Sequence, residues 1–383
     1  MVVESHTKQA GGGPIYWSQL SEWLIRLGHE VTILSGIPQE GEYASPNTIG
    51  LIPVQSDLRS RSVSTLIRRY FFQKRLAPAV RAFVQQWQPD IIHSVPPVAS
   101  DAALRAGNEF NIPVVVSILS HVEAQWSKIE RGRFRSWLFR NLESRSIHRS
   151  FSKIICLTQR SERVLLNEGL SKELVVYVPH AVDTERFNPQ VSPRYRTELG
   201  LPSDRLVLGY AGAISQDKGI EPLLRAVTQL SIEQDFHLLI AGAKPSLGKL
   251  WNRIKSLRLD NVTFLGTLDH TDMPCFMASL DLYVIPSYTE TLPTTLLEAL
   301  ATETPVLATA VGGVKDFMQD RFGIMIAAPQ EKLIIQALKD WRNRKPKLKT
   351  MGSAGRQFVV EHHNWEKSSK LTEGVYQACL QNS

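Results

Sequence analysis

The chain alternates short apolar, β-branched runs with longer stretches whose apolar residues recur every three or four positions. In the first half, strands are predicted at residues 2–3, 31–34, 91–93, 114–116, 154–157 and 175–178. Helical periodicity lies between them, for example at residues 16–27 and 160–167. This alternation indicates a parallel sheet wrapped by helices, and the continuous apolar strands indicate a sheet that is covered on both faces.

The second half repeats the same texture. Strands are predicted at residues 206–210, 237–241, 262–265, 282–285 and 306–308, and helices at 220–230, 247–257, 293–300 and 332–340. The segment 179–193 begins at Pro179, also contains Pro189 and Pro193, and is predicted to be a linker. We therefore predict an α/β protein with two Rossmann-like, doubly wound domains, 1–184 and 185–364, and a helix at 365–383 that closes back towards the first domain. Because ligands of open α/β sheets bind beyond the carboxyl ends of the strands, we expect the domains to face a common cleft.

Composition narrows the class of protein. The 383 residues are 43% hydrophobic and 21% charged, which is typical of a globular protein, and no apolar run is long enough to cross a bilayer. The start lacks the basic and apolar pattern of a signal peptide. Cys156, Cys275 and Cys379 are odd in number and far apart. We therefore expect a cytoplasmic protein without disulfides or a cysteine-based metal site.

The net charge is +7, and two stretches concentrate it. Residues 59–81 hold seven basic and no acidic side chains, and residues 131–149 combine arginines with aromatic residues. Such segments can contact an anionic membrane from its cytoplasmic side, or they can be solvated helix faces whose arginine stems cover apolar surface. No nucleic-acid-binding motif appears, so we expect no nucleic-acid partner.

Two glycine-containing turns could approach a phosphate. Gly11, Gly12 and Gly13 precede a predicted helix, but the spacing of a dinucleotide site is missing, and such a run is more often a flexible turn than a phosphate-binding loop. The second turn begins at Gly212 and ends at Gly219, and it carries Lys218 at the carboxyl end of a predicted strand. Lys218 is either a point charge for phosphate oxygens or an ordinary surface lysine.

The most specific motif is the segment 287–298. Glu290 precedes a helix that Pro293 marks, and Glu298 falls in the second turn of that helix. The first backbone N–H groups of the helix, near residues 292–295, have no partner within it. Carboxylates that accept hydroxyls thus stand beside donors for phosphate, as a sugar diphosphate requires. The alternative is that both are simply acidic residues near a helix N-terminus, where the helix dipole stabilises their charge.

These motifs resemble the retaining glycosyltransferases of family 4, which have the GT-B fold. The matching pieces are LGYAGAISQDKG, FHLLIAG, VTFLGTL, MASLDLYVIPSYTETLPTTLLEALATETPVLAT and AVGGVKDF, in the order of the family. Upstream, VPHAVDTERFNP is similar to the hinge segment, and GGG followed by LGHEVTIL is similar to the opening of the family.

The resemblance implies a role for each matching position. Glu298 is expected to bind the ribose, Glu290 a hydroxyl of the donor sugar, and Lys218 the diphosphate. Backbone groups are expected to contact the sugar, the phosphates or the base at Gly12, Gly13, Gly212, Leu268, Thr291, Leu292, Pro293 and Thr294.

The resemblance also implies the reaction. A hexose is expected to pass with retention from a UDP-sugar to a saccharide or lipid-linked saccharide, while the leaving phosphate takes the proton of the acceptor. The first domain is expected to bind this acceptor. No two aspartates are spaced as D-x-D, so we expect no metal cofactor, with helix dipoles and Lys218 in place of the ion.

The sequence departs from the family at three places. Ala213 replaces an arginine, and His180 with Ala181 replaces Asn-Gly in the hinge motif. The catalytic histidine of the family falls on Leu119 by spacing, with His121 two positions later as the candidate replacement. These departures leave an alternative open, a catalytically weak or inactive subunit that binds the nucleotide sugar.

Overall fold

The computed structural model describes residues 1–3, 12–37, 47–53, 63–96, 98–119, 146–230, 236–243, 249–257, 259–339 and 345–381. The chain divides into two compact units, Met1–Pro179 with Trp365–Ser383, and His180–Asn364. The division falls after Pro179 rather than after residue 184. Val182 pairs in parallel with Asn364, and its N–H donates to the carbonyl oxygen of His363, so the hinge segment packs within the second unit.

The first unit is a parallel α/β layer structure. Its described strands are β1 (Ile33–Ile37), β2 (Thr48–Pro53), β3 (Ile92–Ser94), β4 (Val114–Ile118), β5 (Lys153–Cys156) and β6 (Val175–Tyr177). Its helices are α1 (Gly12–Arg26), α2 (Val63–Trp87), α3 (Val98–Phe110), α4 (Gln159–Asn167) and, from the end of the chain, α13 (Trp365–Gln381). Strands β1 and β2 pair with each other, and β3, β4, β5 and β6 form a second sheet in that order.

Two details of this unit differ from the predicted elements. Residues 2–3 were predicted to be a strand, but Val2 makes only isolated parallel bridges to Leu34 of β1 and Ser94 of β3. Strand β2 was not predicted, because it is a short apolar run that Gly50 interrupts and Pro53 ends, and periodicity alone does not separate such a run from a loop.

A buried polar contact fixes α13 in the first unit. His93 of β3 is 2% exposed, and its Nδ1 lies 2.6 Å from the hydroxyl of Tyr376 on α13. Its Nε2 lies 2.8 Å from Oγ of Ser117 on β4. Both ring nitrogens of a buried histidine therefore have partners, which offsets the cost of burying them.

The second unit contains a six-stranded parallel sheet. Its strands are β7 (Leu206–Ala211), β8 (Phe236–Ala241), β9 (Val262–Gly266), β10 (Leu282–Ile285), β11 (Val306–Thr309) and β12 (Gly323–Ile326). Its helices are α5 (Arg194–Glu198), α6 (Ile220–Leu230), α7 (Lys249–Lys255), α8 (Met273–Ala278), α9 (Thr294–Ala301), α10 (Gly312–Phe317), α11 (Glu331–Lys339) and α12 (Lys345–His362).

The order of these strands positions the candidate site. The sheet runs β12-β11-β10-β7-β8-β9, so the chain winds outward from β7 in one direction and from β10 in the other. Strands β7 and β10 are neighbours and parallel, with Leu208 opposite Leu282. The loops that follow them leave the same edge of the sheet at the switch point of the topology, which is where ligands of open α/β sheets bind.

The strands of this sheet are apolar because helices cover both faces. Strands β8, β10 and β11 are buried along their whole length. Helix α6 covers one face through Ile220, Leu223, Leu224, Val227 and Leu230, whose spacing follows the helical repeat. Strand β12 lies at the edge of the sheet and exposes Met325; it was not predicted, because its four residues are too short a run for periodicity to identify.

Candidate functional site

Lys218 lies at the end of a short 3-10 turn, Gln216–Lys218, between β7 and α6. The next residue, Gly219, has a φ of +63°, and a Cβ atom there would lie 1.8 Å from the carbonyl oxygen of Pro286. The N–H of Tyr288 also donates to the carbonyl oxygen of Asp217 at 2.9 Å. Only glycine permits this approach, and it brings the loop after β7 against the loop after β10.

The close approach of the two loops unites Lys218 with Glu290. Nζ of Lys218 lies 2.6 Å from Oε1 of Glu290, and Oγ of Ser287 donates to the same oxygen at 2.7 Å. The Lys218 side chain is 30% exposed and that of Glu290 only 11%. The other carboxylate oxygen, Oε2, has no hydrogen bond to any described residue. One oxygen of Glu290 is therefore held by the protein, and the second is available to a ligand.

The loop after β10 has two further features. Gly312, at the start of α10, has a φ of +50°, and a Cβ atom there would lie 1.6 Å from the carbonyl oxygen of Glu290. The packing of α10 therefore supports the backbone of Glu290. Thr289 is 5% exposed, and its hydroxyl has no hydrogen-bond partner within the described part of the chain.

Glu298 is the second carboxylate of the site and lies in the second turn of α9, as predicted. It is 2% exposed. Its Oε1 accepts a hydrogen bond from Nε2 of His270 at 2.9 Å, and the His270 ring lies against Phe187 with centroids 5.6 Å apart. The other oxygen, Oε2, is buried and has no partner among the residues that the structure describes. A buried, unpaired carboxylate oxygen is rare in a folded protein and suits a ligand hydroxyl.

The start of α9 lies between the two carboxylates. Pro293 is extended, with φ −69° and ψ 134°, and precedes Thr294, the first helical residue. The N–H of Leu296 donates to the carbonyl oxygen of Pro293 at 3.0 Å. The N–H groups of Thr294 and Thr295 belong to the first turn, where the helix offers no acceptor. The side chain of Leu292 is buried in the core, which fixes the entry of the chain into the helix.

A buried histidine holds the first residue of α9. Nε2 of His180 lies 3.0 Å from Oγ1 of Thr294, while its Nδ1 accepts the N–H of Ala181 at 3.1 Å. Nε2 is therefore the protonated nitrogen and donates to the threonine. Burial, with a contribution from His363, lowers the pKa of His180 to about 4. The histidine that replaces asparagine in the hinge motif thus supports the predicted site.

Two tyrosines support the loop after β7. The hydroxyl of Tyr283 donates to the carbonyl oxygen of Ala211 at 3.1 Å, and that of Tyr210 donates to the carbonyl oxygen of Ala213 at 2.6 Å. Burial raises the pKa of both hydroxyls. Gly212 lies between these anchors, and Ala213, at the position of the missing arginine, is exposed.

Several residues of this site were not singled out from the sequence. They are Ser287, His270, Tyr210 and Tyr283, together with the supporting role of His180. The tyrosines stand on apolar strands, and His270 follows such a strand. A polar residue inside or just after a buried strand is a signal that could have marked them.

The remaining predicted contacts of the donor are distributed along the chain. Leu268 follows β9 and packs against the core, and Thr291 is partly buried beside Glu290. Gly12 and Gly13 were expected in a loop before the first helix, but they are the first two residues of α1. Glycine is tolerated there because the first turn needs no intrahelical hydrogen bond from them. Their approach to the phosphates stays a prediction.

Two positions were predicted for the catalytic histidine, 119 and 121. His121 lies outside the described residues. Leu119, to which the spacing assigns the catalytic histidine of the family, is described: its Cδ1 lies 3.8 Å from the position that a Cβ atom of Gly13 would take. Position 119 is therefore next to the start of α1, and it carries an apolar side chain.

The basic stretches are described only in part. Residues 59–62 and 131–145 lie outside the described residues, as do the side chains of 63–73. Arg81 binds both carboxylate oxygens of Glu109 at 2.8 Å, and Arg149 pairs with Asp101. In the segments that the structure covers, none of the helices has the length and apolar character needed to span a membrane.

A metal site was not expected from the sequence. Within the described ranges, no three or more His, Cys, Asp or Glu side chains are grouped so that they could hold a metal ion. The metal-free reaction remains a prediction.

Models of glycosyltransferase families match both halves of the chain. Residues 10–186 match the family model "Glycosyltransferase Family 4", and residues 191–358 match "Glycosyl transferases group 1". The chain is 29% identical over 234 residues to a 2-deoxystreptamine glucosyltransferase of Streptomyces kanamyceticus, an alignment that covers 59% of this chain and 60% of that relative. It thus spans less than two thirds of the relative.

Solved structures share the fold. Sucrose-phosphate synthase from Thermosynechococcus elongatus superimposes with a TM-score of 0.85 at 23% identity, covering 100% of this chain and 99% of that one. Anabaena HepE, solved in complex with UDP and glucose, gives a TM-score of 0.77 at 17% identity, covering 98% and 99%. With two family models matching most of its length, the chain belongs to the family 4, group 1 glycosyltransferases, and it has their GT-B fold.

Proposed function

We propose that this protein transfers a hexose from a UDP-sugar to a saccharide or lipid-linked saccharide. The observation that carries the proposal is the arrangement of Glu290 and Glu298 around the start of α9. Each carboxylate has one oxygen held by donors of the protein and one oxygen without a partner in the described chain. The two unpaired oxygens suit hydroxyl groups, and the amides between them suit a diphosphate.

The ribose is assigned to Glu298. Its unpaired Oε2 is fully buried, and a buried acceptor without a donor costs about 1–3 kcal/mol or more when it is charged. A ribose hydroxyl removes this cost when the nucleotide binds. The site therefore gains affinity from a group that every ribonucleotide carries, whatever the sugar attached to its diphosphate.

The diphosphate is assigned to Lys218 and the first turn of α9. The ammonium group is partly exposed while it pairs with Glu290, so its position is fixed before the donor arrives. The positive end of the helix dipole adds to the same field. Charge that develops on the leaving diphosphate is stabilised by groups that need no rearrangement, and we propose that no divalent cation takes part.

The proposed reaction retains the configuration at the anomeric carbon. The bond between that carbon and the phosphate oxygen breaks, and a bond from the same carbon to the acceptor oxygen forms on the same face. The acceptor hydroxyl gives its proton to the oxygen of the departing phosphate. The products are UDP and the glycoside, and no other reactant is needed.

The hexose and nucleotide assignments have support from similar proteins. The relative from Streptomyces kanamyceticus is named a glucosyltransferase, and the Anabaena neighbour was solved with UDP and glucose. We assign acceptor binding to the first unit. The basic stretches 59–81 and 131–149 support our proposal of a peripheral contact with an anionic membrane, with the reaction at its cytoplasmic face.

A second candidate function is donor binding without turnover. Ala213 is exposed at the position where the family has a second cation for the diphosphate. A subunit with one cation less would bind the donor but stabilise the leaving group poorly. This second candidate function predicts that calorimetry detects heat of donor binding and that no UDP is released with any acceptor.

The test follows UDP release. The protein is incubated with UDP-glucose and other UDP-hexoses, with and without saccharide acceptors, in parallel with Glu298→Ala and with the control Glu361→Ala, whose side chain is 52% exposed. We expect release by the wild type and the control and at least a 100-fold lower rate for Glu298→Ala. Equal release by all three proteins would contradict the assignment.

The proposal that no divalent metal ion takes part is tested separately. A chelator such as EDTA is expected to leave the rate of UDP release unchanged. A loss that added Mg²⁺ or Mn²⁺ restores would overturn the metal-free reaction. NMR of the first product formed gives its anomeric configuration, and inversion would overturn the proposed retention.

A further inference from the structure

His270 connects two parts of the site that come from distant segments of the chain. It lies two residues after Leu268, in the turn that follows β9, where contact with the base is predicted. Its Nε2 reaches Oε1 of Glu298 on α9 at 2.9 Å. The turn predicted to contact the base and the carboxylate proposed to bind the ribose are therefore joined by one hydrogen bond.

The direction of this hydrogen bond is fixed by chemistry. A carboxylate only accepts, so Nε2 of His270 carries the proton and donates it. The ring also packs against Phe187, which is 1% exposed, at a centroid distance of 5.6 Å. His270 itself keeps 21% of its side chain exposed, whereas Glu298 keeps 2%.

The hydrogen bond from His270 fixes the orientation of the second carboxylate oxygen of Glu298. With Oε1 bound to His270, rotation of the carboxylate about its last torsion would break a charge-assisted hydrogen bond. Oε2 is thus left buried and unpaired in one orientation. A nucleotide with a ribose hydroxyl at this point satisfies the oxygen, and a deoxynucleotide leaves it unsatisfied.

We propose that His270 is a positioning residue that determines specificity for ribonucleoside diphosphates by orienting the carboxylate of Glu298. The inference rests on the proposed function, which assigns the ribose to Glu298. His270 acts through Glu298. Without the histidine, the carboxylate can turn, and the site loses most of its preference for ribose over deoxyribose.

The experiment compares nucleotides rather than proteins alone. Calorimetry gives the dissociation constants of UDP, 2′-deoxy-UDP and 3′-deoxy-UDP, and of the ADP and GDP sets, for the wild type, His270→Leu, His270→Gln and Glu298→Gln. We expect the wild type to bind its preferred ribonucleotide at least ten-fold more tightly than one of the deoxy forms. In His270→Leu this ratio falls to about two-fold, because ribonucleotide binding weakens while deoxynucleotide binding does not.

The variant His270→Gln tests whether His270 acts through its hydrogen bond to Glu298 or only through its packing. The amide nitrogen of glutamine reaches about as far as Nε2 of histidine, so His270→Gln is expected to keep most of the ratio. His362→Leu is the matched control, because this histidine is 49% exposed in the same unit. If the leucine variant does not fold, His270→Asn, whose amide is too short to reach Glu298, takes its place.

The outcomes are distinguishable. If Glu298→Gln loses the ribose preference and His270→Leu keeps it, or if His270→Leu weakens ribonucleotide and deoxynucleotide binding equally, the inference about His270 is overturned and the proposed function stands. If neither variant changes the preference, or if no nucleoside diphosphate binds, the assignment of Glu298 fails, and the inference fails with it.

Discussion

Lys218 and Glu290, which are 72 residues apart, meet with Nζ 2.6 Å from Oε1. They come from loops that follow neighbouring strands, β7 and β10, at the switch point of the sheet. The ion pair therefore fixes a cation and a carboxylate side by side, and the carboxylate keeps one oxygen for a ligand.

This pair predicts the effect of removing either charge. Lys218→Met removes the ammonium proposed to stabilise the leaving diphosphate, and Glu290→Gln removes the charge that holds the ammonium. Each is expected to lower kcat/KM on the order of 100-fold in steady-state assays of UDP release. Lys315→Met, at an exposed lysine on α10, is the control and should stay within two-fold. Wild-type rates in Lys218→Met would rule out its role.

Substitution of Gly312 is expected to lower activity by displacing the backbone of Glu290. In Gly312→Ala the new methyl group meets the carbonyl oxygen of Glu290, 1.6 Å away, at a φ of +50°. We expect a loss of about 3 kcal/mol in the free energy of unfolding, and a loss of activity, because the backbone of Glu290 must move.

Substitution of Gly200 is the control that separates the backbone strain of a positive φ from a steric conflict of the new methyl group. Gly200 has a similar φ of +59°, but nothing lies within 4 Å of its would-be Cβ. Gly200→Ala should therefore cost only the backbone strain, about 1 kcal/mol, and keep full activity. Equal unfolding free energies and equal activities of the two variants would show that the approach to Glu290 has no importance.

Two buried histidines predict how stability depends on pH. Burial lowers the pKa of His180 to about 4, and burial together with the N-terminal ammonium group lowers the pKa of His93 to about 3. The unfolded chain takes up these protons near pH 6.5, and the folded chain does not. Stability is therefore complete above pH 6.5 and falls as the pH drops towards 4, by about 3 kcal/mol for His180 alone.

The measurement is urea unfolding at pH 7.5 and pH 5. The stability lost between these two values should be smaller in His180→Gln than in the wild type by about 2 kcal/mol, because glutamine does not titrate. His362→Gln, at an exposed position, should behave like the wild type. An unchanged pH dependence in His180→Gln would contradict the buried neutral state of His180.

A cation added at position 213 is expected to raise the affinity for UDP. Ala213→Arg places a second cation at an exposed position in the turn that leads to Lys218. We expect the dissociation constant of UDP, measured by calorimetry, to fall about ten-fold at low salt and by less at high salt, because screening weakens the added charge. Ala213→Gln has a similar length without the charge. Equal affinities of the two variants would show that the cation is irrelevant.

Most of the architecture could be predicted from sequence periodicity. The apolar strands of the second unit, the start of α9 after Pro293 and the place of Glu298 in its second turn depend on residues within a few positions of one another. The two edge strands, β2 and β12, were not predicted, although both contain apolar residues, because each is a short run that contains a glycine and that periodicity alone does not separate from a loop. The start of α1 was predicted too late, since glycines at a helix start are indistinguishable from glycines in a loop.

The sequence by itself determined the alternation of strands and helices, the family and the spacing of Glu290 and Glu298. Only the tertiary structure decided which distant groups meet: Lys218 with Glu290, His270 with Glu298, and His180 with Thr294. The physical reason is that local pattern specifies which face of an element is buried and where it ends. The order of strands in a sheet, and thus the loops that share an edge, depends on the packing of the whole unit.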